Sequence, residues 1–331
     1  MFFFLPLQDV SQGLKHQCIG YEFFTNNFMK KLFYLFTILL AVTFAACDNG
    51  QPEGPSGDAN VPENPSNPND PSNPEEPSNP DQPSDPSKSD DNVSFVAKPF
   101  SVSATKTVTF SPGNLQYHPA NDEWRFAPSQ LDYIGNDNAN ISDTYNGWID
   151  LFGWGTGNNP TNNSTDYEDY QTFVNWGLNK IGNYAPNTWR TLTYNEWYYL
   201  RNERPNYDKL IGVAQVNGVN GLILLPDNWT CPSGVTFKSG FHDDYGTEYY
   251  AEYQTFSASE WSKLEASGAV FLPAAGYRYG SNVYYVQFYG YCWSATGNFN
   301  DNAYSLSFYS GRAYMYDGNR CCGESVRLVQ D

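Results

Sequence analysis

From Phe100 to Phe110 the chain reads Phe-Ser-Val-Ser-Ala-Thr-Lys-Thr-Val-Thr-Phe. Apolar and polar positions alternate along nearly the whole run, which predicts a strand with one buried face. Ser111-Pro112-Gly113-Asn114 then turns the chain into Leu115-Gln116-Tyr117, and Glu123-Trp124-Arg125-Phe126 is the expected return strand. The pattern changes at Thr193-Tyr194-Asn195-Glu196 and again at Ser257-Ala258-Ser259-Glu260. Both are capping boxes, in which a hydroxyl and a Glu three residues later satisfy each other's backbone N–H, and a Trp follows each. The first predicted helix runs to about Glu203 and stops before Pro205; the second ends near Ser267, with Gly268 as its C-cap. Each helix precedes an apolar strand ending in Leu-Pro, Gly221–Pro226 and Gly268–Pro273, a weak duplication with too few copies for a solenoid. Beyond Pro273 come only short strands: Val283–Phe288, Tyr291–Ser294, Ala303–Phe308, Arg312–Tyr316 and Ser325–Val329. The fold class is α+β, with few helices and much loop.

Upstream, the pattern differs in kind. Met29-Lys30-Lys31 precedes an apolar run from Leu32 to Ala46. That run is too short for a ~30 Å hydrocarbon core, which needs about 20 residues. With small residues before Cys47, it reads as a signal peptide, and Met29 as the true start, residues 1–28 being an extension. Phe44-Ala45-Ala46-Cys47 resembles a lipobox, with Phe44 where Leu is more usual. The resemblance implies cleavage before Cys47 and diacylglycerol on its sulfur. Asp48 to Asp91 cycles through Asn-Pro-Ser-Asn-Pro and related units, with Val61 its one sizeable apolar side chain. Nothing there offsets the entropy of ordering, while repeated Pro and like charges favour an extended spacer. The expected organisation is a targeting segment 1–46, a lipidated Cys47 with tether 47–93, and a globular domain 94–331. The expected location is the outer membrane at the cell surface, with the lipid anchor as the membrane contact.

Composition narrows the function. A net charge of −18 argues against nucleic acid and anionic lipid surfaces, which attract Lys and Arg. The chain holds 26 Tyr and 9 Trp, more rings than a core of this size needs, so a Tyr-rich contact surface is expected. Catalytic signatures are missing. His16, His118 and His242 are the histidines, and neither Gly-x-Ser-x-Gly nor His-Glu-x-x-His occurs. Asp243-Asp244, and Asp166 with Glu168 and Asp169, read as solvated loop charges.

Thr191-Leu192-Thr193-Tyr194-Asn195-Glu196-Trp197, Trp293-Ser294-Ala295, Ala303 to Phe308 and Ser325-Val326-Arg327-Leu328-Val329 occur in an order that carries a resemblance. Residues 100–331 resemble the formylglycine-generating-enzyme-like branch of the C-type lectin fold, including the Fibrobacter succinogenes major paralogous domain. The enzymes of that branch use a spaced cysteine pair that binds copper. The adjacent Cys321-Cys322 does not reproduce it, so no enzyme activity is expected. C-type lectins often hold sugar through Ca²⁺ beside a Trp-Asn-Asp run, which Phe299-Asn300-Asp301 partly matches. A hard cation needs six to eight oxygens and two side chains do not supply them, so no cofactor is expected, Ca²⁺ being the one ion the run would suit.

Residues 279–324 are rich in Tyr, Gly, Ser, Asn and Asp and contain no Lys; Gln287, Trp293, Met315 and Glu324 are their only members of the Lys/Gln/Glu/Met/Trp set. An Asn codon AAC randomised at both adenines yields Tyr, Ser, Gly, Asp, Cys, Arg and Phe, but none of that set. The segment resembles the variable region of diversity-generating retroelement proteins, whose altered residues form a binding face on a stable scaffold. It departs from that pattern after Gly323, where Glu324 replaces an aromatic. Trp293, Leu306, Phe308, Val326 and Leu328 are expected in the core. Tyr284, Phe288, Tyr289, Phe299, Asp301, Tyr309, Arg312, Tyr314, Tyr316, Asp317 and Arg320 are the expected contact residues for an unidentified protein or glycan ligand. The alternatives are a structural surface lipoprotein without a dedicated ligand and a relative of the copper oxidases.

Overall fold

A computed structural model of the chain describes residues 96–239, 254–299, 301–309 and 311–331. The targeting segment, Cys47, the tether, His242, Asp243-Asp244 and Asn300 lie outside the described residues. The alternation at 100–110 belongs to a hairpin rather than to the single strand expected. Strands β1 (Phe100–Ser101) and β2 (Thr107–Phe110) pair antiparallel. Val102 N–H reaches Lys106 O at 2.9 Å, and the Ser103 hydroxyl accepts from Lys106 N–H at 3.0 Å. Ser103 thus bends the ladder back on itself, and Phe100, Val102, Val108 and Phe110 still meet inside. The next hairpin, β3 (Leu115–His118) with β4 (Glu123–Phe126), matches its expected position.

A long irregular stretch follows, carrying 3-10 turns up to β5 (Arg190–Thr191). Polar side chains buried within it replace a regular ladder. Asn138 accepts from Asp150 and Leu151 N–H and donates to Asp150 Oδ1 at 2.8 Å. Helix α1 (Tyr194–Asn202) and helix α2 (Ala258–Ala266) both carry the complete capping box, Thr193 with Glu196 and Ser257 with Glu260. Gly268, at φ +95°, closes α2 in a conformation that suits a residue without Cβ. Between the helices lie β6 (Ile211–Val216), a strand the sequence pattern had not revealed, and β7 (Val219–Leu224). With β8 (Gln254–Phe256) and β9 (Val270–Pro273) they form a sheet of order β8-β6-β7-β9, parallel only at β6–β8. The two Leu-Pro strands of the weak duplication are neighbours in this sheet, Leu222 opposite Leu272.

Hairpin β10 (Tyr277–Tyr279) and β11 (Asn282–Tyr284) leads into an antiparallel sheet of β12 (Tyr289–Asn298), β13 (Asn302–Tyr309) and β14 (Arg312–Asn319). The last strand, β15 (Leu328–Gln330), inserts between β2 and β5. Trp197 and Leu200 of α1 pack with Leu222, Leu306, Phe308 and Val329 in one apolar cluster. Trp124, Phe152, Trp176, Trp293, Val326 and Leu328 form a second, and Trp261 and Leu264 of α2 join Phe271 in a third. All five residues assigned to the core are buried. The fold is α+β, with small, mostly antiparallel sheets and, among the described residues, two α-helices. No helix among the described residues is long and apolar enough to cross a membrane.

Candidate ligand-binding face

Strand alternation sorts β12–β14 into two faces. Cys292, Leu306, Phe308, Ala313 and Met315 turn toward α1 and the core. The opposite face is ordered in rows across the three strands. Tyr289 stands opposite Tyr309 and that residue opposite Arg312; Tyr291, Ser307 and Tyr314 form the next row; Trp293, Ser305 and Tyr316 the third. The central strand therefore contributes small serines in two rows, with rings on both sides. The result is a trough with aromatic walls that is closed over its floor, Ser305, Ser307 and Trp293 being fully buried.

The rings touch one another continuously. Tyr289 lies 4.8 Å from Tyr309, 6.2 Å from Tyr291 and 5.1 Å from Tyr285, centroid to centroid. Tyr291 meets Tyr316 at 6.0 Å, and Tyr314 joins both Tyr309 and Tyr316 at 6.3 Å. Tyr277 extends the array to β11 through Tyr284, at 5.3 Å. Such pairs contribute about 0.5–1.5 kcal/mol each beyond their buried area, so the rings brace one another without being core. Burial pushes the phenols of Tyr277 and Tyr291 well above the usual range, so both are neutral hydrogen-bonding groups at physiological pH.

Of the expected contact residues, Tyr284, Tyr289, Tyr309, Tyr314 and Tyr316 come together in this array, with Arg312 at its edge. Phe288 (68% exposed) and Phe299 (86% exposed) stand apart on turns. Asp301 is exposed on the β12–β13 turn. Asp317 is exposed too, but alternation puts it on the α1 side of β14, and its Oδ2 accepts from Asn298. Arg320 departs from expectation: it is 7% exposed. Its guanidinium donates to Asn302 O at 2.9 Å and Phe299 O at 2.7 Å, and lies over the Trp154 ring. Arg320 holds the turn from within, its Nε and Nη2 committed to backbone carbonyls.

Tyr277, Tyr285, Tyr291, Ser305, Ser307 and Glu324 were not among the expected contacts. Tyr291 was recoverable from its even spacing to Tyr289 and Trp293. Glu324 was not, because its neighbours come from distant parts of the chain. It is 2% exposed, and burial pushes its carboxyl up to about 8.

Cys231, Cys292, Cys321 and Cys322 are free thiols; a hydrogen bond with Cys322 lowers the pKa of Cys321 against an opposing effect of burial. No group of three or more His, Cys, Asp or Glu side chains converges among the described residues. Asp166 caps a 3-10 turn by accepting from Glu168 N–H at 3.0 Å. Compared with known protein families, curated proteins and solved structures, the chain matches none.

Proposed function

We propose that this chain is a lipid-anchored protein of the outer cell surface that binds a protein or glycan partner through the Tyr face of β12–β14. Its scaffold, in this reading, is a C-type-lectin-like domain of the formylglycine-generating-enzyme-like branch. The observation that carries the binding reading is the unbroken array of Tyr rings on one sheet face. Tyr combines large contact area with few rotatable bonds, and it is enriched at binding hot spots. A core would have no use for that many hydroxylated rings at partial exposure.

A second regularity supports diversification of the face. Gln287, Trp293, Met315 and Glu324, which a randomised AAC codon cannot encode, are all buried or half-buried. Trp293 and Glu324 are buried and Met315 packs against the core. Gln287 accepts from Asn220 N–H at 2.8 Å and donates to Tyr133 Oη. The exposed positions Tyr279, Tyr284, Tyr285, Phe288, Phe299, Tyr314 and Tyr316 hold residue types such a codon does encode.

The test compares the unaltered chain with the Tyr314→Ala/Tyr316→Ala double variant on a glycan array and against a displayed library of extracellular proteins. Both rings are more than a third exposed, so the expected outcome is loss of the captured partner with a Tm shift of a few degrees at most. A collapse in Tm would make the rings part of the core, and undiminished capture would move the site elsewhere.

A further inference from the structure

The trough has a buried carboxyl at its base. Glu324 is clamped to Phe152 by reciprocal backbone hydrogen bonds, both 2.9 Å. From there its side chain reaches the Tyr side of β14 at Gly318. A Cβ at 318 would stand 3.2 Å from Glu324 Oε1 and 3.0 Å from Tyr316 Cε1. Gly318 shares the parity of Tyr314 and Tyr316, so the carboxyl and the Tyr316 ring occupy the same side of the sheet.

This carboxyl is poorly provided for. Its Oε2 has no hydrogen-bond partner, nor does the buried Ser307 hydroxyl on the trough floor, while the Ser305 hydroxyl is the carboxyl's one hydrogen-bonding neighbour. No cation among the described residues pairs with it: its shift comes from burial, opposed by the Ser305 hydroxyl alone. Arg320 is committed to backbone carbonyls, and Arg312 lies at the other end of β14. A buried polar group without a partner costs about 1–3 kcal/mol, and more when charged. Ring faces attract cations through their quadrupole, and a carboxylate adds a charge-assisted hydrogen bond.

We propose that the trough takes a cationic side chain, Lys or Arg, from a protein partner, with Glu324 as counter-ion and Tyr291, Tyr314 and Tyr316 as walls. This rests on the reading of the Tyr face as a contact surface and narrows its ligand to a protein with an exposed cation. The chain's own charge of −18 favours approach of such a partner. Entry requires the Tyr316 ring to turn aside, because Glu324 is only 2% exposed.

A proton accompanies the exchange. With its carboxyl near 8, Glu324 is largely neutral at pH 7 and ionises as the cation enters. Tyr291 and Cys292 of β12 are the titratable groups coupled to it, and burial holds both neutral at that pH. Tyr314 and Tyr316 of β14 complete the surroundings.

The experiment is calorimetric titration of the full chain with acetyl-arginine amide, acetyl-lysine amide and the neutral isostere acetyl-citrulline amide. The two cations are expected to bind saturably, the citrulline probe at least tenfold more weakly. Close to one proton should be released per cation at pH 7, read from buffers of different ionisation heat. Glu324→Gln should weaken the arginine probe tenfold or more and abolish proton release. Proton release is read on the unaltered chain, so the test survives a variant that fails to fold. Equal binding of arginine and citrulline probes, absence of binding, or unchanged affinity in Glu324→Gln overturns the inference. If the cation probes fail while Tyr314→Ala/Tyr316→Ala still loses its captured partner, the cation site falls and the contact surface stands. If that double variant keeps its partner, the contact surface itself falls.

Discussion

Gly318 has no side chain, and Glu324 uses the space. The arrangement makes folding sensitive to pH in a direction opposite to that of an ion-paired carboxylate. Unfolded, the carboxyl titrates near 4.5; folded, burial pushes it up to about 8. Between those values the native state holds a proton that the unfolded chain has released. The contribution of this group to stability is therefore highest below about pH 4.5, declines as pH rises toward 8, and levels off above. The slope approaches ~1.4 kcal/mol per pH unit for one such group. Asp150, pushed up by burial to about 6, adds a decline of the same sign over the lower part of the range. Glu324→Gln, uncharged throughout, should keep the low-pH stability and lose most of the decline between pH 6 and 8. Urea unfolding from pH 5 to 8.5 measures this, and an unaltered slope in the variant would assign the decline to another group.

Strand β13 shows what the same alternation does on its two faces. Leu306 is fully buried against α1, and its neighbour Ser307 is equally buried on the Tyr side with no partner for its hydroxyl. Leu306→Ala should cost about 2–5 kcal/mol, the usual range for a core truncation. Ser307→Ala should stabilise by up to ~1 kcal/mol, because it removes a desolvated hydroxyl without breaking a hydrogen bond. Adjacent residues thus shift Tm in opposite directions, and a clear loss with Ser307→Ala would mean that its hydroxyl is bonded after all. The elements themselves were legible where the signal was local. Both capping boxes need only four consecutive residues, and both helices formed where those boxes stood. Period two found the inward side of β13 and of Trp293. It misled at 100–110, where Ser103 turns the chain without interrupting the pattern. The irregular stretch before β5 was opaque, since it is held by pairs such as Asn138 and Asp150 that no periodicity announces. The trough was half legible: Tyr content suggested its walls, but its base joins Glu324 to Gly318 and Ser305, a contact set by tertiary folding.

At the scale of the whole molecule, the Tyr face rides on a scaffold tied together by buried polar groups. Arg327, fully buried just before β15, donates to Gln130 Oε1 at 2.6 Å and to Phe271 O at 3.3 Å. Gln130 in turn reaches Glu265 of α2 at 2.8 Å, so the closing strand, the α2 region and β9 are tied through one guanidinium. Arg278 does likewise for the β10 hairpin, donating to Gly280 O and Asn162 O. None of these bonds uses an exposed Tyr of the face. Substitution there leaves these supports in place, as the proposed rewriting of the surface would require. If residues 279–324 are rewritten at adenines, a near-copy of their codons should lie beside a reverse transcriptase gene and differ only where the copy carries adenine. The differences should fall at exposed positions such as Tyr284, Tyr314 and Tyr316. They should spare the codons of Gln287, Trp293, Met315 and Glu324, whose side chains anchor or fill the interior. Sequencing the flanking DNA decides it: no such copy, or one whose differences scatter across the anchoring codons, would leave the Tyr face a fixed surface evolved for a single partner.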